Sequence, residues 1–140
     1  MLIMQVEPEA AARAAQNVDL AEMFAVMGAY SDELQKAGVF LSAEGLSDAS
    51  EGFRLDITSQ PPDVTDGPYA EAREIFTGYW LLEVASREEA EYWAGKCPLG
   101  PGTALEVRRV NEIADFLPLL EGTTAGESVV RDQEWRAANS

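Results

Sequence analysis

The chain has 140 residues, 46% of them hydrophobic and 25% charged, which suits one packed domain and argues against general disorder. Lys plus Arg number 10 against 25 Asp plus Glu, a formal charge of -15, and there is no histidine. A field of that sign repels phosphate backbones and anionic lipid headgroups, so nucleic-acid and membrane-surface binding are disfavoured, while solubility, a basic partner or a cationic ligand stay open.

Residues 1–6 are a short apolar run that reads as a buried strand ended by Pro8. The alanine-rich stretch 7–18 is either a loop or a weak helical turn. A firm helix signal follows. Asp19 is placed to cap and Glu22 to reach back, while Leu20, Phe24, Met27, Tyr30 and Leu34 recur at helical spacing. Gly38 supplies the left-handed stop. Residues 39–42 read as a strand leading into a turn at Glu44, Gly45 and Leu46, and residues 53–57 alternate as a half-buried strand. Pro61, Pro62, Gly67 and Pro68 make 59–74 a long loop with extended residues at Val64 and Thr65. Residues 75–84 carry the strongest strand signal. Ser86 and Glu89 form a capping box for a second helix that buries Ala90, Trp93 and Ala94, and Pro98, Gly100, Pro101 and Gly102 break it. Residues 104–110 alternate as a last strand. Farther on, 112–120 reads as a short helix interrupted by Pro118 and 122–128 as a flexible linker. The tail bearing Val129, Val130 and Trp135 either docks as a helix or stays loose.

The order β, α, β, β, α, β is the split βαβ of a ferredoxin-like α+β fold, an antiparallel sheet with two helices on one face. Alternation puts Tyr79 and Leu81 on one side of the sheet and Trp80, Leu82 and Val84 on the other. Helices cover only one side, so a second subunit over the other, and hence a homodimer, is expected. The expected organisation is a domain at 1–111 and a C-terminal helical extension or tail at 112–140.

The single cysteine, Cys97, rules out an internal disulfide framework and a cysteine-built zinc site, and reads as a small packed residue. There is no Gly-x-Gly-x-x-Gly, Walker loop, nucleophile elbow or Asp-x-Asp-x-Asp-Gly loop, so neither cofactor nor metal is expected. No basic leader precedes an apolar run, and no stretch reaches the roughly 20 apolar residues of a membrane span, which makes the cytoplasm the expected location.

The segment Asp66-Gly67-Pro68-Tyr69-Ala70-Glu71-Ala72-Arg73-Glu74 resembles the signature of the DGPF-motif subgroup of the YCII-related family. The likeness continues through Gly78-Tyr79-Trp80, residues 88–94, Cys97-Pro98 and Glu106-Val107-Arg108, and upstream through Glu33-Leu34, Ala37-Gly38 and Glu44-Gly45-Leu46. It spans roughly residues 1–111 and implies a ferredoxin-like fold assembled as a dimeric α/β barrel. Members of the broader family resemble small lyases, dehydrochlorinases and isomerases that pair a histidine on the first helix with an aspartate in a pocket. Met27 stands about where that histidine would fall, so the dyad is broken here. DGPF-type members also resemble proteins encoded beside extracytoplasmic-function sigma factors.

The candidate site residues each carry two readings. Asp66 either plays a purely structural part in the turn that Gly67 and Pro68 fix, or points between sheet and helix as a general acid/base. Tyr69 either lends its hydroxyl to that pocket or plugs it. Glu44 would supply a second carboxylate, and two carboxylates in one apolar pocket separate acid from base. Arg73, between Glu71 and Glu74, either belongs to a solvated loop or holds an anionic ligand. Met27, Tyr30 and Trp80 line the cavity or pack the core. The leading expectation is a cofactor-independent lyase or isomerase acting on a small apolar or aromatic compound, with Asp66, Tyr69 and Glu44 catalytic and Met27, Tyr30, Arg73 and Trp80 binding. The alternative is a non-catalytic module that binds a small ligand or a protein partner, a regulator associated with such a sigma factor. The missing histidine and the acidic surface favour that alternative.

Overall fold

In the computed structural model, which describes residues 1–17, 19–68 and 74–139, β1 (Leu2–Val6) runs straight into a helix, α1 (Pro8–Asn17). Proline at a first helical position has its φ pre-set and needs no amide partner, and the alanines after it are the best helix formers. Pro8 therefore ends the strand and starts a ten-residue helix, where a loop or a weak helical turn was expected. Buried Ala10 holds α1 against Gly102, whose φ is +79° and where a Cβ would come within 2.5 Å of the Ala10 methyl.

The long helix α2 (Leu20–Lys36) is capped as expected: Asp19 Oδ1 accepts the amides of Ala21 at 2.9 Å and Glu22 at 3.3 Å. Gly38, at φ +74°, turns the chain out of the helix and towards β2 (Phe40–Gly45). Glu44 and Gly45 thus close a strand, and the turn expected at 44–46 is displaced. The Leu46 amide still donates to Thr77 O at 2.8 Å, carrying the pairing one residue farther. β3 (Phe53–Asp56) and β4 (Asp63–Asp66) pair only with each other as a separate ribbon inserted before β5 (Ile75–Leu82). α3 (Arg87–Gly95) is capped by Ser86, whose hydroxyl accepts the Glu89 amide at 3.2 Å, while the Glu89 carboxylate accepts the Ala85 amide at 2.7 Å. β6 (Thr103–Val107) completes the sheet and stops three residues before the expected end.

The main sheet runs β2-β5-β1-β6 and is antiparallel throughout, the strand order of a ferredoxin-like α+β fold. Leu2 pairs with Trp80 on one side and Val107 on the other, and Ala43 pairs with Trp80. Both α2 and α3 pack on that face, and the core joins Leu2, Tyr30, Leu34, Val39, Trp80 and Trp93. Tyr30 ties the layers together. Its ring meets Trp80 edge-on, with centroids 5.5 Å apart, and its hydroxyl donates to Trp93 O on α3 at 2.8 Å. Outside this contact Glu33 of α2 forms an ion pair with Lys96, whose ammonium lies 5.1 Å from the Tyr92 ring centroid.

The apolar face read for α2 is buried only in its C-terminal half. Leu34 is 0% and Tyr30 4% exposed, but Leu20 is 63% and Phe24 70% exposed. Helical spacing defines a face; it does not say how closely the sheet approaches it.

The chain divides into two compact units, Met1–Arg108 and Arg109–Ser140. The second contains a single turn at Ile113–Asp115, α4 (Leu117–Leu120) and α5 (Thr124–Ala138). Pro118 lies in the first turn of α4 and does not interrupt a helix. Thr123 caps α5 by accepting the Gly126 amide at 3.2 Å, so most of the stretch expected as a linker is the start of a helix. No described residue of this unit is buried. Among the described residues no helix is long and apolar enough to cross a membrane.

Candidate functional site

A cleft of about 600 Å³ opens between the N-terminal half of α2 and the sheet. Met23, Phe24, Met27 and Ser31 recur at one to four residues along the helix and so share the face that forms its roof. Its floor is the stretch where β1, β2 and β5 run side by side: Met4, Ala43, Gly45, Gly78 and Trp80, with Leu46 and Ser47 at the mouth. Trp80, 6% exposed, forms part of the wall, and its indole N–H points to Ser31 Oγ at 3.4 Å. Gly45 and Gly78 face each other in register, leaving two adjacent strands without side chains there. The two glycines differ in cause. A Cβ on Gly78 would lie 2.7 Å from Glu44 O, so the close strand approach demands glycine, whereas a Cβ on Gly45 meets no described heavy atom within 4 Å.

Of the residues singled out in the sequence, Met27, Glu44 and Trp80 line this cleft. Met27 also packs against the core. Glu44 lies in the wall but pairs with Tyr79, and strand alternation puts both on the sheet face opposite Ala43 and Trp80. Tyr30 lies behind the cleft and is not among its lining residues; its hydroxyl is committed to Trp93 O. Burial, followed by the negative fields of Cys97 and Glu33, pushes that phenol well above its ordinary pKa. Burial likewise pushes the Cys97 thiol up to about 11, so it is a poor nucleophile at neutral pH.

Asp66 closes β4, opposite Phe53, and is exposed. Cross-strand pairing sorts the ribbon into two faces. Phe53, Leu55, Val64 and Asp66 share one, while Arg54, Asp56, Asp63 and Thr65 share the other. Asp66 is thus the carboxylate on an otherwise apolar and solvent-exposed ribbon face, and it is not among the cleft-lining residues. The ribbon's base is fixed by Gly67, whose amide donates to Gly52 O at 3.0 Å and whose Cβ, if present, would overlap the Ala49 carbonyl. That accounts sterically for the glycine of the Asp-Gly-Pro motif. Tyr69 and Arg73 lie outside the described residues. The structure therefore brings Met27, Trp80 and Glu44 to one cleft, with Tyr30 behind it and Asp66 on the ribbon.

The sequence reading missed Met4, Met23, Ser31, Gly45 and Gly78 as cleft residues. A usable signal was the set Met23, Phe24 and Met27, which exceeds what one buried helical stripe needs. Among the described residues, no group of three or more His, Cys, Asp or Glu could hold a metal ion. A second hollow of about 710 Å³ lies in the C-terminal unit, between α4 and the start of α5. Its walls include turn residues such as Gly122 and Thr123, and no buried side chain backs it.

A four-stranded antiparallel sheet, two helices packed on one face and a cleft under the longer helix define a ferredoxin-like α+β domain. The family model for the YCII-related domain matches residues 1–114, and the chain belongs to the YCII-related family. No curated protein matches the chain.

Proposed function

We propose that this protein is a DGPF-type member of the YCII-related family that works as a homodimer and takes a small apolar or aromatic compound into the cleft under α2. The cleft itself carries this reading. Met4, Met23, Met27, Phe24 and Trp80 offer soft, polarisable and aromatic contacts, and Glu44 is the one charged residue among those described in its lining. The homodimer rests on unburied apolar surface. Ile3, Tyr79 and Leu81 lie on the sheet face away from the core, and the ribbon exposes Phe53 (67%), Leu55 (47%) and Val64 (59%). A second copy covering both is the economical solution.

The test is titration with the neutral planar fluorophore N-phenyl-1-naphthylamine. One saturable site per chain is expected. Met23→Asp, on the roof but 38% exposed, should weaken binding about tenfold or more by setting a charge against an apolar probe, with the fold unchanged by circular dichroism. Absence of saturable binding, or equal binding by the variant, would overturn the reading.

A second reading adds turnover: cofactor-independent lyase or isomerase chemistry driven by carboxylates. It is favoured by Asp66 on the apolar face of a ribbon inserted between two cleft-lining segments, Leu46–Ser47 and Thr77–Trp80; Glu44 joins it only through its backbone in the cleft wall. Asp66→Asn separates the two readings, because it abolishes turnover if Asp66 is the acid/base and leaves probe binding intact if the protein only binds.

A further inference from the structure

We propose that Gly45 is the specificity-determining position of the cleft, its missing side chain making room for a flat ring laid against bare strand backbone. This rests on the cleft being the binding site and goes beyond it by naming the shape of the ligand and the residue that selects it.

Glycine weakens a strand, because it gives up more backbone freedom than other residues and offers nothing to pack. It is required where φ is positive or a neighbour stands close, and elsewhere its missing side chain simply leaves room. Gly45 has no positive φ, and an added Cβ would meet no described atom within 4 Å. Neither the backbone nor the packing of the described residues explains it. Gly78, its partner in register, is explained in full by the Glu44 carbonyl 2.7 Å from where its Cβ would be. One glycine is thus needed by the sheet, and the other leaves space.

That space has a definite setting. Gly45 shares the helix-facing side of β2 with Ala43, so its absent side chain would project into the cleft, beneath the α2 roof. With both glycines bare, two neighbouring strands present peptide planes where side chains would otherwise stand. Met23 and Met27 lie on the opposite wall, and thioethers make favourable contacts with aromatic rings. A planar aromatic ring fits between a flat peptide floor and a thioether roof. A branched aliphatic body is thicker and fits it less well.

The experiment compares Gly45→Ala, Gly45→Val and Gly45→Leu with the wild type, using N-phenyl-1-naphthylamine as the planar probe and thermal unfolding and sedimentation as controls. Affinity is expected to fall in step with side-chain volume, reaching about ten- to hundredfold for valine and leucine, the scale on which extra methyl groups overfill a packed space. The melting temperature should hold or rise, since valine suits a strand better than glycine. Valine and leucine variants that bind the probe like the wild type overturn the proposal while leaving the cleft reading standing. A Gly45→Ala variant that unfolds, or that changes the oligomeric state, also overturns it, because the glycine is then structural. Failure of the wild type itself to bind the probe removes the cleft reading and this inference with it.

Discussion

Replacing Tyr30 by phenylalanine tests whether this side chain belongs to the core or to the cleft. The substitution keeps the ring, and so the edge-on contact with Trp80 at 5.5 Å, and deletes only the hydroxyl that donates to Trp93 O at 2.8 Å. A buried carbonyl stripped of its partner costs about 1–3 kcal/mol. Trp93 O also accepts the Lys96 amide at 3.2 Å, so it is not left bare, and the loss falls at the low end, about 1–1.5 kcal/mol. Urea denaturation at fixed protein concentration reads this directly: the midpoint should fall with the slope unchanged. Binding of N-phenyl-1-naphthylamine should be unaffected, because Tyr30 lies behind the cleft wall. Unchanged stability combined with lost probe binding would refute the reasoning and put the hydroxyl in the site.

Other consequences are as direct. Leu34→Ala, at a fully buried position, should cost about 2–5 kcal/mol in the same assay. Asp19→Ala removes the acceptor of two amides at the start of α2 and should lower stability by about 1 kcal/mol, seen as a reduced melting temperature. Stability should also fall in alkali. The Cys97 thiol is raised in the folded state, so its contribution is fully present below the ordinary thiol pKa and is lost as pH rises through about 11. Cys97→Ala should flatten that decline in unfolding midpoints measured from about pH 9 to about 11.

Most of the fold was legible because local rules and global order agree. Asp19 and Gly38 delimit α2, Ser86 and Glu89 open α3, and alternation marks the strands, which together force the ferredoxin-like order. The misses have physical causes. Pro8 ends β1 as read, but the same fixed φ also starts a helix where a loop or weak helical turn was expected. Residues 122–128 carry linker composition, yet Thr123 caps a helix that tolerates Gly126 in its first turn. Glu44 and Gly45 resemble a turn, but pairing with β5 through Gly78 holds them in a strand.

The lining of the candidate cleft was legible by halves. Met27 and Trp80 reach the cleft because each lies on a face that periodicity assigns. Tyr30 lies on the same helix, but a hydroxyl bond to α3 takes it into the core, and no helical repeat encodes that partner. The Asp66 motif marks the base of a ribbon, and pairing within the ribbon does not set where its apolar face docks. Gly45 was invisible as a cleft residue because a glycine's role depends on what its missing Cβ would meet.

The most direct test of the account is an NMR titration of the protein labelled with 13C in its methionine methyl groups. The chain has four methionines, of which Met4, Met23 and Met27 line the cleft and Met1 does not, so the control is built in. Addition of N-phenyl-1-naphthylamine should shift the three cleft methyl signals saturably and leave Met1 in place. Shifts confined to Met1, equal drift of all four signals, or none at all would contradict the assignment of the cleft as the binding site.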